Sequence, residues 1–116
     1  MKKCIMISAL LISSVAFAGG NHYHPKKVVN CPAKDCTEKQ IEGAVPSALE
    51  DLIKWGKIEA SWAKAKVEKV FKKKFKKGQE WVVALVDEAI KEPSKQRKYI
   101  FITLDGFVNG SNSTGE

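Results

Sequence analysis

The sequence predicts an α+β fold: one amphipathic N-terminal helix packed on a three- to four-stranded antiparallel β-meander. Three observations carry this. Ile41, Ala44, Val45, Ala48, Leu49, Leu52 and Ile53 recur at three-and-four spacing, the apolar stripe of a helix. Residues 81–86 and 99–104 are short runs rich in β-branched and aromatic side chains, the composition of strands. Asp105-Gly106 follows the second run directly and is a dipeptide favoured in tight hairpins. A helix followed by neighbouring strands hides both apolar surfaces when the helix lies over one sheet face.

Taken in order, the chain opens with Lys2 and Lys3, an apolar run over residues 5–15, and the small-x-small triplet Ala16-Phe17-Ala18. That is the layout of a secretory signal peptide, residues 1–18, cleaved after Ala18. The apolar run is shorter than the roughly 20 residues a membrane span requires. Cys4 precedes the run, so no lipidation cysteine sits at the cleavage point. The expectation is a periplasmic or secreted protein whose mature chain begins at Gly19.

Removing residues 1–18 takes two lysines and no acid, leaving 98 residues with a formal charge of +5. That length suits one domain, which buries roughly 60–70% of its unfolded surface and builds a modest core without a cofactor. Two cysteines remain, Cys31 and Cys36. In an oxidising compartment an even pair is most simply a disulfide. Its short ring implies about 2 kcal/mol by the chain-entropy estimate, enough to pin a turn.

Residues 19–36 carry Gly19-Gly20, Pro25 and Pro32 and are expected as a mobile polar arm ending in the cysteine loop. The α+β domain then occupies residues 37–112. Thr37 with Gln40 three residues later forms a capping-box pattern that starts the helix. Pro46 falls inside the apolar stripe and is expected to kink or restart the helix, because it removes a backbone donor. Gly56 is a natural C-terminal stop. Residues 58–63 read as a short turn carrying Trp62 into the core.

Lys64, Lys66, Lys69, Lys72, Lys73, Lys74, Lys76 and Lys77 fall within fourteen residues, and Glu68 is the sole acid among them. Val67, Phe71 and Phe75 fit an alternating strand, while Val67, Val70, Phe71 and Phe75 also fit a helical stripe. Strand is the closer fit, since Lys77-Gly78 followed at once by an apolar run reads as a hairpin. Residues 87–95 form a charged connection, residues 107–111 a short returning strand, and residues 113–116 a frayed tail.

Gly56-Lys57-Ile58, Ser61-Trp62, Glu80-Trp81-Val82-Val83, the stretch Tyr99-Ile100-Phe101-Ile102-Thr103-Leu104-Asp105-Gly106 and the closing Asn112-x-Thr114-Gly115 form a recognisable set. Through these residues about half the chain resembles an uncharacterised family of small, signal-peptide-bearing proteobacterial proteins that look like relatives of the PepSY-type domain. The resemblance implies an exported helix-plus-meander fold and no particular reaction. Family members often begin the mature chain with alternating Gly and His residues, of which His22 and His24 are the counterparts here.

Three groups of residues carry candidate chemistry. His22 and His24, with Cys31 and Cys36 nearby, suggest capture of copper or zinc. Oxidised cysteines, however, offer no thiolate, and the spacing misses the compact Cys/His arrangement of structural zinc sites. The simpler reading is a solvated arm. The eight lysines interleaved with aromatic residues suggest contact with an anionic surface or an acidic protein. Against that stands a solvated outer strand whose lysines block edge-to-edge aggregation. Indoles can stack on sugars or peptides, but Trp55, Trp62 and Trp81 each fall where the pattern wants a core residue.

Catalysis has little support, because both histidines lie in the arm and no phosphate loop or zinc-protease motif occurs. Nucleic acid is disfavoured by export and by a single arginine, Arg97. The expectation is a non-enzymatic binding or accessory module of PepSY-like type contacting a periplasmic protein or anionic envelope component. The alternative is a periplasmic metal-handling protein.

Overall fold

The computed structural model describes residues 24–116. The expected signal peptide, its expected cleavage point and His22 lie outside the described residues. The fold is α+β, with one long helix and a five-stranded antiparallel sheet.

Helix α1 spans Glu38–Lys54. Thr37 Oγ1 accepts from the Gln40 amide, and Gln40 Oε1 accepts from the Thr37 amide, closing the expected capping box. At the far end Lys57 N donates to Leu52 O and Gly56 N to Ile53 O, with Gly56 at φ +72°. This pair of bonds is the Schellman ending, which needs a left-handed residue and so favours glycine there. Pro46 does not restart the helix. Both Pro46 and Glu42, whose carbonyl loses a partner, lie on the exposed side, where water replaces the missing bond.

The strands are β1 (Lys26–Lys27), β2 (Lys66–Phe75), β3 (Gly78–Val86), β4 (Arg97–Thr103) and β5 (Phe107–Asn112), in the spatial order β1-β5-β4-β3-β2. Strands β2 to β5 are the anticipated meander, and the lysine-rich segment is a strand. Ile41, Val45, Ala48, Leu49 and Leu52 of α1 bury themselves against Trp81, Val83, Leu85, Ile100, Ile102 and Val108 of the sheet. A 3-10 turn, Ala60–Lys64, carries Trp62 into the same core. Trp55, expected inside, is 38% exposed, because it caps α1 beyond the last turn that faces the sheet.

The segment after His24 departs most from the sequence reading. Instead of forming a mobile arm, Lys26 and Lys27 pair with Val108 and Phe107 as a fifth strand. Val28, Val29 and Cys31 then pack against the core. The cause is a clamp on the turn between β4 and β5. Val28 N donates to Gly106 O, and Cys36 N donates to Leu104 O. Cys31 and Cys36 form the expected disulfide, Cα to Cα 5.2 Å, and Cys36 is buried.

Gly106 sits at φ +99°, and a Cβ there would lie 2.6 Å from the Val29 carbonyl oxygen. Thr103 Oγ1 donates to Asp105 Oδ1 and accepts from Phe107 N, while Gly106 N donates to Thr103 O. The Thr-Leu-Asp-Gly stretch is therefore a turn closed by its own side chains and gripped by the cysteine loop.

Candidate functional site

Residues alternate across a sheet, so those between the core positions face the side away from α1. Cross-strand register groups them. Val82 lies between Phe71 and Phe101, Ala84 between Lys69 and Tyr99, and Glu80 between Lys73 and Thr103. No helix among the described residues covers this face, yet Val82 and Ala84 are fully buried. Aromatic rings from both neighbouring strands supply cover: Phe75 meets Phe101 edge-on at 5.5 Å, a favoured aromatic geometry.

The C-terminal tail adds to that cover instead of fraying. Asn112 Oδ1 accepts from Thr114 N and Gly115 N, bending the chain back over the sheet. Gly115 is buried against the Tyr99 ring, and Lys73 Nζ donates to the Gly115 carbonyl at 3.0 Å. Beyond the tail an open groove of about 470 Å³ remains. Phe75 and Phe101 form its apolar part, Lys76 and Lys77 its cationic rim, and Asn109 donates to Glu80 at its side.

The lysines flank this face. Strand β2 is the last of the sheet, and among the described residues no strand pairs with its outer edge. Register places Lys69 and Lys73 on the open face, with Lys72 and Lys74 on the helix side. Lys76 and Lys77 form the hairpin tip, Lys66 begins the strand, and Lys64 ends the 3-10 turn. Three of them lie over aromatic rings: Lys69 over Phe71 at 5.0 Å, Lys72 over Trp81 at 5.2 Å and Lys73 over Phe75 at 5.6 Å. Such stacking holds the ammonium near a ring face; Lys69 and Lys72 stay exposed there, while Lys73 also donates to the Gly115 carbonyl.

Few carboxylates neutralise the strand. Lys66 lies 3.8 Å from Glu88, with both side chains largely exposed. Glu68, at a register shift between Val67 and Lys69, is taken by Arg97. That bidentate bond is the main cause holding the Glu68 carboxyl below the usual glutamate range, and it raises Arg97 in turn. Lys64, Lys69, Lys72, Lys74, Lys76 and Lys77 have no ion-pair partner among the described residues.

A second concavity, about 670 Å³, lies beside Trp62, Ile90 and Lys98. There Lys98 already pairs with Glu59 at 3.6 Å and lies over Trp62, so its charge is matched locally.

Of the metal-ligand candidates, His22 lies outside the described residues. His24 is exposed, and Cys31 and Cys36 are bonded to each other. Among the described residues no group of three or more His, Cys, Asp or Glu side chains is placed to hold a metal ion. No helix of the described residues is long and apolar enough to cross a membrane. Sequence reasoning missed the tail over Tyr99 and the Arg97–Glu68 pair. The Asn112-x-Thr-Gly spacing was a usable signal for the first, since asparagine before glycine favours such a turn.

A family model matches residues 1–116, the whole chain. The chain belongs to DUF6488, a family of unknown function. That the chain falls in an uncharacterised family agrees with the expectation from the motif residues. No curated protein and no solved structure matches the chain.

Proposed function

We propose that the protein is an exported, non-enzymatic binding module that engages an acidic partner protein through strand β2 and the open aromatic face beside it. The observation that carries this is the set of seven lysines, Lys73 included, that have no carboxylate partner among the described residues, on and around one edge strand. Cations held over Phe71, Phe75 and Trp81 combine long-range attraction with an apolar surface for contact at short range. The helix laid over a meander is the layout that the PepSY resemblance implies, and it supports treating the module as an accessory protein of that type.

Attraction of this kind acts mainly on the encounter rate and is screened over about 8 Å at physiological ionic strength. The test is a crosslinking pull-down in the native host, comparing the wild-type protein with a Lys69→Glu/Lys72→Glu/Lys74→Glu variant. The partner recovered with the wild type is lost with the variant, and its association with purified wild-type protein slows as salt rises. Association indifferent to both salt and charge reversal removes the lysines from the mechanism.

A further inference from the structure

Resting on that reading, we infer that the outer edge of β2, unpaired among the described residues, takes an extended acidic segment of the partner as an additional sheet strand. The two edges of this sheet are protected in different ways. Strand β1 is two residues long, too short to template pairing with anything. Strand β2 is ten residues, about 33 Å at the rise of an antiparallel strand, with one register shift near its start. Its protection is positive charge. Charge differs from shortness because it discriminates by sign.

A second copy of β2 laid along this edge brings lysines against lysines, and like charges directly opposite destabilise a strand pair. An acidic strand meets the same edge with the sign reversed and gains the main-chain bonds that strand addition supplies.

The side-chain pattern narrows the occupant further. On the open face β2 presents Lys69, Phe71, Lys73 and Phe75 in turn; on the helix side it presents Val70, Lys72 and Lys74. Cross-strand neighbours of matching character are acids opposite Lys69, Lys72, Lys73 and Lys74, with apolar side chains opposite Phe71 and Phe75. The three consecutive lysines call for acids on both faces of the added strand. A surface contact made by one face alone does not require this.

The test uses the purified protein and a capped ten-residue peptide of Asp and Glu with two valines. Two N-methylated versions, one at odd and one at even positions, keep every side chain and charge. Only alternate peptide amides point toward β2 in an added strand. One version therefore binds about a hundredfold more weakly or worse, while the other binds like the parent. Amide exchange slows at alternate residues of β2 when the parent peptide is bound.

Salt-sensitive binding with both methylated peptides equal to the parent, and with β2 exchange unchanged, overturns strand addition and leaves the lysine surface standing. Absence of parent binding at low salt overturns both readings.

Discussion

Arg97 reaches across β3 to grip Glu68 with two parallel bonds, Nε to Oε1 at 2.8 Å and Nη2 to Oε2 at 2.7 Å. Glu68 sits where the β2 register slips, and Ala84 is the β3 residue opposite that shift. Val86 is the β3 residue paired with Arg97. This pair ties β2 to β4 on the open face and occupies the one acid in the lysine-rich stretch.

Because pairing lowers the Glu68 carboxyl relative to the unfolded chain, its contribution to stability is present above the ordinary glutamate range. It is lost as pH falls through the depressed folded value. Urea midpoints measured on an acid series fall less steeply for Glu68→Gln than for the wild type. The difference is small, since both groups are solvated, and shrinks further at high salt.

Gly106→Ala and Gly43→Ala have opposite signs. The first places a Cβ 2.6 Å from the Val29 carbonyl at φ +99° and costs about 2 kcal/mol or more. The second adds a methyl to an exposed helical position with nothing within 4 Å and gains about 0.5–1 kcal/mol. Denaturant midpoints of the two variants separate them.

Replacing both cysteines, Cys31→Ala/Cys36→Ala, lowers stability by about 2 kcal/mol from the lost cross-link. Because Cys36 is buried and its amide bonds Leu104 O, the effect extends beyond the loop. Amide exchange in the variant speeds up at Val28 and Gly106, whereas a purely local disulfide leaves those amides unchanged.

Ending the chain at Asn112 removes Gly115 from the Tyr99 ring and the Lys73 bond to its carbonyl. The expected loss is about 1 kcal/mol. Tyr99 then nitrates faster, read by peptide mass mapping against the full-length protein.

What the sequence by itself determined was whatever neighbouring residues encode. The capping box at Thr37, the glycine ending at Gly56, the apolar stripe between them and the strands around Trp81 and Phe101 are written in spacings of two to four residues. So is the lysine strand, through its alternation and the glycine after it.

Only the tertiary structure decided which side of a residue faces water and which distant segments meet. Pro46 reads as a break until its exposed position supplies solvent to the carbonyl it abandons. Trp55 reads as core until the helix ends at Lys54 and leaves it exposed as the cap. The polar composition of residues 19–36 hides Val28 and Val29, whose place depends on a bond to Gly106, 78 positions away from Val28. Arg97 and Glu68 are joined across 29 positions by the register of three strands. Local spacing specifies an element through short-range sterics and hydrogen bonds. A contact between elements depends on the combined geometry of all of them, and no short window of sequence contains it.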